Sequence, residues 1–190
     1  RHFFGTAFIK KTLDAMAYHK LNVFHWHLAD GAGWRFPVDA YPALTNACAT
    51  RTAGKRTTCW GRDIVVGQYG PFAHPREDIR EILAYAKARG IEVVPEIDLP
   101  GHMLAAMSAY PWLGCTGGPY ASWVKWGVSD EVLCPGKETT FQLGLDIVNL
   151  GNLINSNWGA YKILSSNVIM NYDGAAYTFT APTWKNYNNL

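Results

Sequence analysis

The sequence lacks the features that mark several common classes of protein. It has no apolar run of about 18 residues, so we expect no membrane-spanning helix. Charged residues make up 17% of the 190 residues and the net charge is +2, which gives no basic surface for nucleic acid. Because 48% of the residues are hydrophobic, the chain is globular and large enough for one core. We therefore expect neither nucleic-acid nor membrane partners.

Cysteine is scarce, with four residues and no C-x-x-C spacing, which disfavours zinc and thioredoxin-like sites. Cys48 and Cys59 flank one short polar segment, and Cys115 and Cys134 flank another. Two local disulfides, as an exported protein would form, and free buried thiols are both open interpretations.

Aromatic residues are abundant by contrast, with 8 Trp and 10 Tyr. Flat apolar faces with polar edges suit sugar rings. A place in the hydrophobic core is an equally good interpretation of any single Trp.

The apolar periodicity predicts a helix–strand–helix–strand order, which is typical of a parallel α/β architecture. The predicted elements are a helix over 8–19, a strand over 21–28, a helix from Pro75 to Gly90 and a strand over 91–97. Residues 31–74 and 103–140 are rich in Gly, Pro and small residues and predict loops. A further helix over 141–153 and a strand over 161–170 are predicted beyond them.

Both predicted strands end in an aspartate or histidine. The segment His25-Trp-His-Leu-Ala-Asp30 closes the first, and the second runs into Asp98-Leu-Pro-Gly-His102. Because the carboxyl ends of parallel strands meet at one edge, where active sites are built, we expect Asp30 and His102 within hydrogen-bond reach. A carboxylate fixes the tautomer of a neighbouring imidazole and raises its pKa. Ordinary loop hydrogen bonds would give the same spacing.

Strand alternation places His25 and His27 on one face, as in metal-dependent amidohydrolase barrels. That function needs more ligands, and only His74 and His102 follow among histidines, so histidines satisfied by their neighbours are the favoured interpretation.

Two pairs of carboxylates are further candidates. Glu96 and Asp98 face the same side of a strand, as acid/base hydrolysis requires, but a structural role in the loop is as good an interpretation. Asp130-Glu131 is typical of an exposed turn or helix start.

Three ordered segments resemble glycoside hydrolase family 20, the β-N-acetylhexosaminidases. They are Arg1-His-Phe-Phe, the stretch from Thr12 to Asp30 and the stretch from Gly90 to His102. Trp126-Gly-Val-Ser-Asp-Glu-Val-Leu-Cys-Pro-Gly136 extends the likeness, which is strong over residues 1–141 and weak over 160–190.

The resemblance implies a TIM (β/α)8 barrel and hydrolysis of terminal β-linked N-acetylhexosamine from glycans, with no cofactor and no metal. It implies that Arg1 binds the sugar hydroxyls and that Asp30 and His102 support the catalytic glutamic acid. It also implies a retaining mechanism in which the substrate's acetamido oxygen attacks the anomeric carbon. We expect an exported protein, extracellular, periplasmic or lysosomal, with an oligosaccharide or glycoconjugate as its partner.

The sequence departs from the family at its strongest motif, His-x-Gly-Gly-Asp-Glu, which does not occur. Its Asp orients the acetamido group and its Glu is the general acid, so we expect the 190 residues alone to be inactive. Residues 161–173 resemble a later segment whose Tyr and Asp contact the sugar, which makes Tyr172 and Asp173 candidates, and Trp184 is a candidate for sugar stacking. A TIM barrel needs about 250 residues, so the expected fold is an incomplete barrel catalytic domain over 1–190.

Two other functions compete with this one. A non-catalytic carbohydrate-binding remnant would keep Arg1 and the aromatic residues without the Asp-Glu pair. A metal-dependent amidohydrolase-like barrel would rest on His25 and His27.

Overall fold

The structure is a computed structural model that describes residues 2–53, 55–57, 63–65, 67–125, 127–154, 169–172 and 177–180. Helices and strands alternate along these residues. The helices are α1 (Thr6–Tyr18), α2 (Arg76–Lys87), α3 (Leu104–Ala109) and α4 (Glu138–Ile154). The strands are β1 (Val23–Asp30), β2 (Gly33–Trp34), β3 (Arg51–Thr52), β4 (Lys55–Thr57), β5 (Asp63–Val65), β6 (Gln68–Tyr69), β7 (Glu92–Ile97), β8 (Ile169–Tyr172) and β9 (Tyr177–Thr180). Short 3-10 helices cover Pro42–Thr45, Ala47–Ala49 and Pro111–Leu113.

The predicted parallel pairing is confirmed, because β1 and β7 run parallel as neighbours in a sheet of order β2-β1-β7. Strand β2 folds back antiparallel on the end of β1, pairing Asp30 with Gly33. Three two-stranded sheets accompany it, β3-β6, β4-β5 and β8-β9. The fold of the described residues is therefore mixed α/β, and it places the end of β1 beside the end of β7.

Helices α1 and α2 pack side by side against this sheet. Apolar residues at helical spacing face inward, and Leu13 of α1 and Ile79 and Ile82 of α2 are fully buried. Polar contacts join the outer faces of the two helices: Thr6 donates to Asp78 at 2.9 Å, and Arg89 donates to Asp14 at 2.6 Å. Helix α2 also carries two acidic residues in its first turn and Lys87 in its last, which suits the helix dipole.

The core lies beneath the carboxyl end of β1. Trp26 and Leu28 point into it from one face of the strand, while His25 and His27 on the other face remain 62% and 39% exposed in their side chains. Helix α3 contributes Leu104, Ala105, Ala106 and Met107, all buried. None of the helices in the described ranges is long and apolar enough to cross a membrane.

Candidate active site at the ends of β1 and β7

The register of the two parallel strands builds a polar face. His25 is paired with Val94 and His27 with Glu96, and the register then shifts by one residue before Ala29 pairs with Ile97. Both chains leave the sheet directly after this shift, β1 at Asp30 and β7 into residues 98–102. Side chains from the two strands therefore converge at one edge, as the sequence predicts.

Asp30 is the most constrained side chain of this edge. Its Oδ1 accepts the backbone N–H of Ala32 at 3.1 Å, and its Oδ2 lies 3.3 Å from Nε2 of His27. The hydrogen bond from His27 is the largest cause that lowers the pKa of Asp30 to about 2, and the Ala32 N–H acts in the same direction. Asp30 is therefore a carboxylate throughout the neutral and weakly acidic range.

His102 approaches Asp30 from the loop after β7. Its Nδ1 lies 3.9 Å from Oδ2 of Asp30, and its Nε2 lies 3.9 Å from Oδ2 of Asp98. These distances exceed a hydrogen bond and fall within ion-pair range. His102 has a φ of 58°, in the left-handed region that non-glycine residues rarely adopt. The structure thus brings Asp30 and His102 together as expected, but at a longer separation than the predicted hydrogen bond.

Glu96 joins the histidines of β1 to this site. One of its oxygens lies 2.6 Å from Nε2 of His25, and the other lies 3.1 Å from Nδ1 of His27. Neighbouring carboxylates therefore satisfy both histidines, in line with the favoured interpretation. Among the described residues, no three His, Cys, Asp or Glu side chains are arranged to hold a metal ion.

Glu96 and Asp98 have different partners despite their spacing. Glu96 contacts His25 and His27, whereas Asp98 faces His102. The sequence did not reveal the contacts of Glu96, because they depend on the register between strands separated by more than 60 residues.

A cavity of about 470 Å³ opens above Asp30 and His102, a size suited to a small ligand. Residues 115–134 supply its outer wall, including Trp123, Val128 and Glu131. This segment, which we call the wall loop, was predicted only as a loop. Its outward-facing Glu131 agrees with the predicted exposed turn at Asp130-Glu131.

Three links fix the wall loop over the site. The backbone N–H of Trp123 donates to the carbonyl of Gly31 at 2.6 Å, and that of Leu133 donates to the carbonyl of Pro100 at 3.0 Å. These bonds dock the loop on both strand ends. A disulfide between Cys115 and Cys134 closes its base.

The second predicted disulfide is not formed. Cys48 is a free, fully buried thiol whose Sγ lies 3.7 Å from the carbonyl oxygen of Ala106. Burial raises the pKa of this thiol to about 11, which keeps it protonated. Its suggested partner, Cys59, lies outside the described residues. The alternative of a buried thiol therefore holds at Cys48, and the disulfide alternative holds at Cys115 and Cys134.

The remaining predicted substrate-binding residues are not placed by the structure. Arg1, Asp173 and Trp184 lie outside the described residues, as do 155–168, which hold most of the predicted strand over 161–170. Tyr172 is described in its backbone only, as the last residue of β8, paired with Tyr177.

Comparisons with known proteins agree on one family. The family model "Glycosyl hydrolase family 20, catalytic domain" matches residues 1–155. A beta-hexosaminidase of Porphyromonas gingivalis is 40% identical over 149 residues, covering 78% of this chain and 18% of that protein.

Solved structures give the same result. The crystal structure of a beta-N-acetylhexosaminidase has a TM-score of 0.70 and 35% identity, covering 82% of this chain and 32% of that one. A mutant beta-hexosaminidase of Streptomyces plicatus in complex with its product GlcNAc has a TM-score of 0.67 and 35% identity, covering 80% of this chain and 28% of that one. The chain thus spans between 18% and 32% of the length of these three proteins.

Proposed function

The chain belongs to glycosyl hydrolase family 20, and on that basis we propose that it forms part of the catalytic domain of a β-N-acetylhexosaminidase. The reaction is hydrolysis of terminal, non-reducing β-linked N-acetylhexosamine, GlcNAc or GalNAc, from glycans. The substrate is an oligosaccharide or glycoconjugate.

One observation carries this proposal beyond family membership. Asp30 and His102, the pair that the family resemblance assigns to support of the general acid, lie 3.9 Å apart at the ends of neighbouring parallel strands. They lie beneath a cavity of about 470 Å³ with Trp123 in its wall. A charged carboxylate beside an imidazole at the floor of a partly aromatic cavity is the arrangement that glycoside hydrolysis needs behind its acid.

The proposed mechanism is substrate-assisted and retaining. The acetamido oxygen of the sugar attacks the anomeric carbon, while a glutamic acid protonates the departing glycosidic oxygen. Asp30 and His102 stand behind that acid and tune its proton affinity. Arg1 donates its guanidinium N–H groups to sugar hydroxyls, and Tyr172, Asp173 and Trp184 contribute further sugar contacts. The glutamic acid itself has no counterpart in the 190 residues.

The architecture that we propose for the complete catalytic domain is a TIM barrel, of which this chain supplies β1, β7 and their flanking helices. Parallel neighbours with the site at their carboxyl ends support it. We also propose that the protein is exported and acts on glycans such as chitin. The disulfide between Cys115 and Cys134 supports an oxidising location, which is extracellular, periplasmic or lysosomal.

A chromogenic assay tests the function. The protein that carries this chain should hydrolyse p-nitrophenyl β-N-acetylglucosaminide or its galactosaminide counterpart, and should leave p-nitrophenyl β-glucoside intact, because the glucoside has no acetamido nucleophile. Equal rates on the glucoside would contradict substrate assistance. Saturable binding of N-acetylglucosamine without any turnover would instead favour the non-catalytic carbohydrate-binding alternative.

A further inference from the structure

We propose that His27 is a positioning residue of this site, held as an imidazolium between Glu96 and Asp30 so that the Asp30 carboxylate stays aimed at His102. The inference rests on the proposed function, and it assigns a role to a residue that the two-member pair of Asp30 and His102 leaves out.

The two nitrogens of the His27 ring face two different carboxylates. Nε2 lies 3.3 Å from Oδ2 of Asp30, and Nδ1 lies 3.1 Å from Oε1 of Glu96. A carboxylate accepts hydrogen bonds and donates none, whereas a neutral imidazole has one donor and one acceptor nitrogen. A neutral His27 would therefore turn one nitrogen lone pair toward an anionic oxygen. Only the imidazolium satisfies both sides.

The ionisable neighbours of His27 on both strands favour this charge. Glu96 on β7 and Asp30 on β1 are the two contacts, His25 touches the far oxygen of Glu96, and His102 with Asp98 lies beyond Asp30. The hydrogen bond to Asp30 is the largest cause that raises the pKa of His27, ahead of the opposing effect of partial burial.

Six side chains thus form a line in which imidazoles and carboxylates alternate. In order they are His25, Glu96, His27, Asp30, His102 and Asp98. Its contacts shorten from the site outward, from 3.9 Å at His102 to 3.1 Å between His27 and Glu96.

The tighter half of this line fixes the looser half. Asp30 makes a hydrogen bond with His27 and one with the Ala32 backbone, while His102 lies beyond hydrogen-bond distance. Removing the charge on His27 would therefore free Asp30 to rotate and to take up a proton at higher pH. His27 does not touch the reacting atoms in this scheme and acts through Asp30.

Histidine NMR tests the charge without using activity. In ¹⁵N-labelled protein, the ring of His27, identified by its loss in His27→Gln, should show two protonated nitrogens at pH 6.5 and should titrate above that pH. Glu96→Gln, which keeps the shape but removes the charge, should lower the midpoint. A His27 midpoint at or below 6.5, or one unchanged in Glu96→Gln, would overturn the inference.

Kinetics test the positioning. In the active protein, His27→Gln should lower kcat on the chromogenic N-acetylglucosaminide at least tenfold, with KM changed less than threefold, and should move the acidic limb of the pH profile upward. His19→Gln, at the far end of α1, should leave both constants unchanged. A wild-type kcat in His27→Gln would overturn the role. If the parent protein has no activity, the proposed function fails, and the titration still decides the charge on His27.

Discussion

His27 and His74 occupy opposite surroundings in the same small domain. Two carboxylates flank His27 and raise its pKa. His74 is 3% exposed, its ring packs against Phe3 and Trp26, and its Nδ1 has no hydrogen-bond partner among the described residues. Burial is the largest cause that lowers the pKa of His74 to about 4. The fold therefore favours the charged form of one histidine and the neutral form of the other.

This difference predicts how stability varies with pH. Below the unfolded pKa of 6.5, the unfolded chain binds a proton at His74 that the folded chain refuses until about pH 4. The free energy of unfolding therefore falls as pH falls through that window. His27 has the opposite sign, since its contribution is complete below 6.5 and is lost as pH rises through its raised pKa. Asp30 loses its contribution only between 3.8 and about 2.

Replacing His74 should flatten the acid side of the stability curve. Urea unfolding at pH 7 and pH 4.5 should show wild type losing about 2 kcal/mol more than His74→Phe between the two pH values. Ile79→Val, a buried change without a titratable group, should cost about 1 kcal/mol at both pH values. An equal acid loss in His74→Phe and wild type would assign the sensitivity to other groups.

At the scale of elements, local pattern predicted what local interactions build. Helices α1 and α2 and strands β1 and β7 match their predicted positions within about three residues, because amphipathic spacing and strand alternation report burial directly. Helix α3 was missed because its six residues are apolar on every side and have no polar face to set a period. Strands β3 to β6 are two or three residues long and fell below any recognisable pattern in the predicted loop over 31–74.

The candidate site divides in the same way. The nearness of Asp30 and His102 followed from the rule that parallel strand ends converge. The contacts of Glu96 with His25 and His27 required the register of β1 against β7, which no local pattern contains. The wall loop required long-range hydrogen bonds from Trp123 and Leu133.

The wall loop should depend on its disulfide. Closing a loop with a sequence separation of 19 residues restricts the unfolded chain enough to stabilise the fold by about 3 kcal/mol. Cys115→Ser/Cys134→Ser should therefore lower the free energy of unfolding by about that amount, and reduction of wild type should match it. Cys48→Ala serves as the control, since its stability should not respond to reductant. Stability unaffected by removing both Cys115 and Cys134 would show that backbone hydrogen bonds suffice to hold the loop.

At the scale of the whole molecule, the polar face of β1 and β7 is open. The side chain of His25 is 62% exposed and Val23 is 49% exposed, although both face the same side as the site. In a barrel this face would be interior, which is consistent with a chain that supplies part of the proposed domain.

The 190-residue chain assayed alone should therefore not hydrolyse N-acetylhexosaminides. General-acid assistance is worth about 10²–10⁴-fold, and the motif that supplies the acid is absent from the sequence. The Asp of that motif, which orients the acetamido nucleophile, is absent with it. Purified chain and chromogenic N-acetylglucosaminide provide the test. Turnover near that of a complete enzyme would direct attention to Glu96 or Glu131 as the acid.

The most direct measurement of the central claim is a double-mutant cycle on kcat/KM in the active protein. Asp30→Asn, His102→Gln and the double variant are compared with wild type on p-nitrophenyl β-N-acetylglucosaminide, each checked for folding by circular dichroism. If the two residues act as one unit behind the acid, the double variant should lose little more than the worse single variant, with a coupling of about 1–3 kcal/mol. Losses that add within about 0.5 kcal/mol would mean that Asp30 and His102 act independently, and would contradict the proposed site.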